Sequence, residues 1–526
     1  MITVISFVGF TVFVGIYAWY RLRKDNLSSQ DGYFLGGRSL TGSVIAASMI
    51  MSNISTEHLV GMNGSAYRNG FIIIAWEVTS ALALILAAIY FVPKYLRMGV
   101  VTIPQYLDRR FDKGTSSLIA LFLLVSFAVT LLPIVLYTGA INLESIFNTS
   151  ELLGISKASS LWITVVVVGV LGAAYAVIGG LKAVAVSDVI YGYGLLLAGL
   201  LIPVLALIYI GDGNPLLGME KLFRHSPEKF NVIGAEDSIL PFSTLFTGLM
   251  INQIYFWCMN QTIIQRVFGA KNLEEAQKGL LYTGMLKILV PFIIVLPGVI
   301  GYYYFKDEFY ADQDLVYPAL VKRILPVSLL GLFAAIIVGA VLSTFNAVLN
   351  SASTIFSIDV YKRLINKKAD DRTLVRMGRL AASILAVSSI IAAPFVARAP
   401  NGLYQLLQEL NGIFFIPIAS IMLGGFFFPR ISAPAAKAAM CIGLLFYVSC
   451  TFIFKVNIHF VHLWGIEFLL NMGVMFAVSY FYPRPVVSET LENEAPIPML
   501  AWRYAKPFGL ALLLVTLAIY ILLGNV

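Results

Sequence analysis

Charge is scarce in this sequence. Only 12% of its 526 residues are Asp, Glu, Lys or Arg, about half the ~25% usual in soluble domains. Cysteine is nearly absent. The three present (Cys258, Cys441, Cys450) form no CxxC pair, which excludes a disulfide scaffold and gives no zinc framework. No GxxxxGK[ST] phosphate loop occurs, so ATP is not the expected energy source. Long polar stretches are also missing. The longest (211–239, 305–327 and 483–505) fall short of the ~50 residues a soluble domain needs. An attached kinase, nucleotidase or receptor domain is therefore not expected. What is abundant is apolar: 59% of residues are hydrophobic and mean hydropathy is +0.85. Such a chain is one large membrane body, not a soluble enzyme or a disordered protein. The net charge of +8 does not point to nucleic acid, because Lys and Arg sit in short gaps between apolar runs.

A membrane-crossing helix needs roughly 20 apolar residues. Fourteen spans are expected, near 2–20, 40–64, 70–96, 117–144, 160–179, 183–210, 240–261, 278–304, 328–357, 374–396, 402–427, 433–455, 459–482 and 506–524. A transmembrane barrel would show short alternating segments instead. The first run has its positive residues (Arg21, Arg23, Lys24) after it, the reverse of a cleaved signal peptide. It reads as a retained span. With the N-terminus outside, inner gaps hold 25 of the 36 Lys and Arg, including Lys24, and outer gaps ten, including Arg398. That asymmetry sets the orientation and, for an even number of spans, places both termini outside.

Polar groups inside spans are costly and mark function. The second span interrupts itself with Ser52, Asn53, Ser55, Thr56, Glu57, His58, Asn63 and two glycines, Gly61 and Gly64. A broken helix there frees carbonyl oxygens, which suit a hard cation such as Na⁺. A kinked, tightly packed helix is the alternative. In the third span Glu77 and Ser80 share a face beside Trp76, a combination that bonds sugar hydroxyls and covers a pyranose ring. The seventh span offers Gln253 and Trp257 at i, i+4. In the eighth, Lys287 is the one cation read as span-embedded, with Glu77 as its expected partner. Ala340, Ser343 and Thr344 line one face of the ninth span, a half-cage for Na⁺ or equally a packing surface. Tyr404, Gln408 and Asn411 share a face of the eleventh. Asp188 is placed near the inner surface, where it would help draw Na⁺ off its site or equally serve as a plain helix-end carboxylate. Glu467, in the thirteenth span, has no evident partner.

These residues, in this order, resemble the sodium/solute symporter family, and its sodium–glucose cotransporter branch in bacterial form. The resemblance rests on Tyr33-Phe34-Leu35-Gly36-Gly37-Arg38, Asn53-Ile54-Ser55-Thr56-Glu57-His58, Asn260-Gln261-Thr262-Ile263-Ile264-Gln265-Arg266, Ala276-Gln277-Lys278-Gly279, Asn350-Ser351-Ala352-Ser353-Thr354 and Asp359-Val360-Tyr361. It implies an all-α, leucine-transporter-like core of two five-helix inverted repeats, at 40–210 and 240–427. Around it stand an extra N-terminal helix and inner loop (1–39), an outer loop (211–239) and three C-terminal helices (428–526). Carried over, solute contacts fall on Asn53, His58, Glu77, Ser80, Gln253, Trp257, Lys287 and Gln408; Asn411 joins them from the shared face of the eleventh span. Gates fall on Met62, Trp76, Phe256 and Tyr404. The Na⁺ site falls on the carbonyls of Met51, Ile54 and Ala340 with the hydroxyls of Ser343 and Thr344, and Asp188 marks the exit. Phe256 stands where known members carry a tyrosine, with Tyr255 adjacent. Ala347 stands where members with a second Na⁺ site carry serine, which implies one Na⁺ per solute.

The implied function is secondary active symport by alternating access in a bacterial inner membrane, with Na⁺ as coupling ion and a neutral hexose such as glucose or galactose as solute. It is not an enzyme, and it needs neither a nucleic acid nor a protein partner. The alternative solute is a sialic acid or another organic anion. A carboxylate wants an Arg in the cavity, and the spans show none. A sugar sensor without transport is the rival from another class, and would need an output segment. On this reading, Glu77→Ala abolishes uptake and leaves the protein folded.

Overall fold

The computed structural model describes residues 2–23, 26–306, 308–309, 312–396, 403–484 and 495–524. Lys24 and Arg398, used in the orientation count, lie outside the described residues. Among the described residues, fourteen helical elements frame the site, with shorter helices in the connections. They are α1 (Ile2–Leu22), α2 (Gly42–Asn53), α3 (Glu57–Arg97), α4 (Lys113–Ser145), α5 (Lys157–Ile210), α6 (Gly248–Cys258), α7 (Gln261–Phe268), α8 (Leu273–Phe305), α9 (Val327–Ile365), α10 (Asp371–Val396), α11 (Leu403–Phe427), α12 (Ala433–Ile453), α13 (Phe460–Phe481) and α14 (Ala505–Leu523). Among the described residues no strand forms beyond one isolated bridge, Leu40 to Ala270. In a bilayer the helix is the open-chain form that satisfies every backbone group internally. Local sequence sets several starts: the side chains of Ser156, Asn272 and Asp370 cap α5, α8 and α10 by accepting backbone N–H groups.

Eleven helices among the described residues are long and apolar enough to cross a membrane. They do not map one-to-one on the fourteen expected spans. The α5 run has 54 residues, about 80 Å at 1.5 Å per residue, far beyond a ~30 Å hydrocarbon core. It is broken at Gly180, whose φ of 58° and ψ of −160° only glycine adopts readily. A Cβ there would also sit 2.4 Å from the Tyr33 carbonyl oxygen. Two expected spans therefore share this run. The expected span at 40–64 is split between α2 and the start of α3, and that at 240–261 contains the 11-residue α6 and the start of α7.

The split in the second span is not made by its glycines. Ile54 is extended (φ −82°, ψ 99°) and ends α2, while Gly61 and Gly64 lie within helical turns. Gly61 serves close approach instead: a Cβ there would fall 2.9–3.0 Å from Tyr404. Residues Glu57–Met62 form a wide π-helical turn, a feature common at functional sites. α2 sits centrally, packed against α5, α8 and α9, and α9 packs on α1, α5 and α10. α6 lies between α3, α11 and α13. The broken α2–α3 connection thus lies in protein, with no contact to lipid required.

Candidate functional site

The costliest pair is also the centre of the site. Lys287 on α8 and Glu77 on α3 are both 1% exposed and form an ion pair. The Lys287 ammonium also donates to the Asn53 Oδ1 at 2.7 Å, at the end of α2. Its nitrogen lies 5.4 Å over the Trp257 ring of α6, close enough for cation–π attraction. Four helices, the consecutive α2 and α3 together with α6 and α8, are therefore joined by one charge.

Gln253 does something different from what its neighbours suggest. Its amide nitrogen donates to the Trp76 carbonyl at 2.7 Å and to Thr79 Oγ1 at 3.2 Å. Its Oε1 accepts from Ser80 at 3.0 Å and from the Trp257 indole at 3.2 Å. Both donors and both lone pairs are used within the protein. Gln253 clamps α6 to α3 and orients Ser80 and Trp257. Gln253→Leu leaves several buried polar groups unpaired, at about 1–3 kcal/mol each. A clear fall in melting temperature is expected, with a smaller change in solute KM than Gln408→Leu produces. The reverse order would make Gln253 a direct contact.

One cavity gathers these groups. Asn53, His58, Glu77, Ser80, Gln253, Trp257, Lys287, Gln408 and Asn411 all line it, as do Trp76, Phe256 and Tyr404. An aromatic cluster closes one side: Tyr404 packs edge-on against His58 (5.4 Å) and Trp76 (5.9 Å), and Trp76 against Trp464 of α13 (6.1 Å). Met62 is buried but is not part of the cavity wall, because it lies at the far end of the π turn that carries His58. Tyr255 is not part of the cavity wall and packs at a tilt against Phe415 at 4.4 Å, so it does not replace the hydroxyl absent from Phe256.

Sequence reasoning gave no site role to five polar wall residues, Ser52, Glu57, Asn252, Asn260 and Thr262. Glu57 lines the cavity beside His58, its Oε1 3.7 Å from the imidazole Nδ1, and its Oε2 has no hydrogen bond among the described residues. Asn252 and Asn260 also line it. Their signal was adjacency to singled-out positions, which periodicity for an ordinary α-helix would send to another face. The π turn at 57–62 and the end of α6 at Met259 break that periodicity.

Next to the cavity, α9 lies against the split of the second span. Thr344 Oγ1 is 3.3 Å from the carbonyl oxygens of both Met51 and Ser52. Ser343 Oγ is buried, makes no hydrogen bond of normal geometry among the described residues, and lies beside Asp188. An all-oxygen donor set of this kind suits an alkali cation. Asp188 is not near the inner surface. It is 0% exposed, accepts from Ser48 Oγ at 2.5 Å and lies 3.9 Å from the guanidinium of Arg266. Arg266, counted above with the inner connections, is equally buried; its Nε donates to Ser48 Oγ at 2.7 Å, and it also bonds the Thr262 carbonyl. Lys287 is thus not the one embedded cation. The short helix α7 runs through protein interior rather than along the surface, and it carries Arg266 inward.

Residues 33–443 match the sequence model described as the sodium:solute symporter family. The chain is 43% identical over 517 residues to an Escherichia coli (strain K12) protein named uncharacterized symporter YidK, covering 98% of this chain and 90% of that one. It is 32% identical over 461 residues to the sodium/glucose cotransporter of Vibrio parahaemolyticus, covering 82% and 83%. A solved Na⁺-coupled sialic acid symporter, in a substrate-bound outward-open state, superposes with a TM-score of 0.79 at 18% identity over 93% of this chain and 99% of that one. The two share a fold.

Proposed function

This chain belongs to the sodium:solute symporter family, as a multi-pass membrane carrier coupled to Na⁺ and not an enzyme, and from that premise we propose that its solute is a neutral hexose. The observation that carries this reading is the charge balance of the cavity. Its charged wall residues are Glu57, Glu77 and Lys287. Lys287 is already paired with Glu77, and Arg266 is held by Ser48 and Asp188. A carboxylated solute such as a sialic acid would meet the Glu57 carboxylate and no free cation. A polyol meets what it needs: acceptors and donors on Asn53, His58, Glu77, Gln408 and Asn411 around an indole face.

In this reading Na⁺ sits where α9 meets the split between α2 and α3, held by the Met51, Ile54 and Ala340 carbonyls with the hydroxyls of Ser343 and Thr344. Bound there, it ties repeat one (40–210) to repeat two (240–427) and favours the arrangement that completes the sugar pocket. Coupling is the difference in affinity between states. Asp188, packed beside Ser343, offers the departing ion its next oxygen. Trp76 and Tyr404 close the outer side, with Met62 buried behind them off the cavity wall, and Phe256 closes the inner one. One ion accompanies each sugar, because Ala347 supplies no hydroxyl for a second. With both termini outside a bacterial inner membrane, the potential adds ~2.3 kcal/mol per charge per 100 mV.

Proteoliposomes test this directly. Labelled glucose or galactose is expected to accumulate under an inward Na⁺ gradient and not in choline; equal uptake in both would remove the coupling. Preferential uptake of labelled sialic acid would overturn the neutral-sugar assignment. A Na⁺ Hill slope near one is expected, and a slope clearly above one with two charges per sugar would overturn the single-ion stoichiometry.

A further inference from the structure

Helix α13 carries a carboxyl group that symport, as described, does not use. Glu467 is 0% exposed, and neither of its oxygens has a hydrogen bond or a cation among the described residues. An ionisable group at membrane depth is retained for a reason or is lost. Three helices close over α13: α6, α11 and α12. From α12, Tyr447 lies within electrostatic range of Glu467, while its hydroxyl donates to the Glu409 carbonyl of α11 at 3.0 Å. The Glu409 carboxylate itself is turned to Gln405 at 2.8 Å. Of the titratable side chains of α6, the Tyr255 ring packs against Phe415 and its hydroxyl makes no hydrogen bond among the described residues, while the Cys258 thiol donates to the Ala83 carbonyl. On α13 itself His462 is bonded to Thr247 and Ser243 at the helix start, and Asn471 is turned to Ser420 at 3.4 Å.

The ligand class follows from counting oxygens. A hard metal cation wants several oxygen ligands, and here α13 supplies one carboxyl group with a single amide, Asn471, a turn away, while the Tyr447 hydroxyl is spent on the Glu409 carbonyl. A bare carboxylate without hydrogen bonds is the least favourable occupant of such a place. That leaves the proton. We propose that Glu467 is a proton-binding site, and that its proton governs how α13 packs behind the outer gate.

The link to the gate is physical contact. Trp464, one turn before Glu467, packs edge-on against Trp76, which packs on Tyr404. At Gly412 of α11, an added Cβ would lie 2.1 Å from the Trp464 indole nitrogen and 2.7 Å from the Tyr447 hydroxyl. α13, α12 and α11 are therefore in contact without slack at this level, and α11 carries Tyr404, Gln408 and Asn411. Loss of the proton puts a charge into that contact, and the helices must part or admit water to solvate it.

Two measurements on the full-length protein in nanodiscs test this, neither requiring knowledge of the solute. The first is the Na⁺-induced rise in melting temperature, in NaCl relative to KCl, from mildly acidic to mildly alkaline pH. It is expected to shrink as pH rises in the parent protein and to stay constant in Glu467→Gln, which keeps the shape of the protonated acid. The same pH dependence in both proteins, or none in the parent, would overturn the proposal. The second uses the parent alone. Dicyclohexylcarbodiimide, an apolar reagent, adds the carboxylic acid O–H across its C=N bond and rearranges to a stable N-acylurea with no leaving group. Peptide mass spectrometry is expected to find that adduct on Glu467 at neutral pH. Its absence there would mean that the group carries no proton, and the site would fall.

Discussion

In Glu77→Gln, the purified protein is expected to lose about 3–5 kcal/mol of stability and all Na⁺-driven uptake. The loss is large because the substitution leaves the Lys287 ammonium, 1% exposed, with no opposite charge. Removing one partner of a buried pair carries a penalty of that order, whereas replacing both by apolar groups is often neutral. The double variant Glu77→Gln, Lys287→Met is therefore expected to recover its melting temperature without recovering transport. Asn53 Oδ1 loses its 2.7 Å donor in the double variant, so recovery is expected to be nearly complete rather than full. A Glu77→Gln protein as stable as the parent, or a double variant no better than the single one, would show that the two groups do not depend on each other. The expectation from sequence alone, that Glu77→Ala leaves the protein folded, is replaced by this one.

That change shows where sequence reading works and where it stops. Asn53, Glu77, Lys287 and Gln408 were found because each is a polar side chain in an apolar run, and the bilayer makes such residues expensive wherever the chain folds. The cost is local, so it is visible locally. All nine side chains assigned to the solute line one cavity. What an interior residue is turned towards is not local. Gln253 looked like a solute contact because its type and spacing fit, yet its hydrogen bonds are spent within the protein. Asp188 and Arg266 were misplaced for a related reason. Counting Lys and Arg between spans assumes that every connection is wet. α7 is a connection by hydropathy, but eight of its eight residues are buried, and the pair lies beside the proposed ion site. The second span's split fell at Ile54 rather than at glycine because carbonyls there gain a partner in Thr344. No glycine preference reveals that gain.

The proposed ion cage carries the second large effect. Ser343→Ala and Thr344→Ala are each expected to raise the Na⁺ concentration for half-maximal uptake by roughly tenfold, which is ~1.4 kcal/mol of lost ion affinity. Each removes one hydroxyl from a set made otherwise of backbone carbonyls. Thr344 also gives up its 3.3 Å contacts with Met51 and Ser52, which bind α9 to the split directly. Its variant is expected to lose melting temperature even without Na⁺. Ser343 makes no such bond, so Ser343→Ala is expected to melt like the parent in KCl and to differ only when Na⁺ is added. That contrast separates an ion ligand from a packing residue. Reciprocity sharpens it further: if Na⁺ raises sugar affinity, the sugar raises Na⁺ affinity by the same factor. In Ser343→Ala the sugar affinity is therefore expected to be weak at low Na⁺ and to return to the parent value once Na⁺ saturates. A sugar affinity that stays weak at saturating Na⁺ would place Ser343 in the sugar pocket and remove it from the cage.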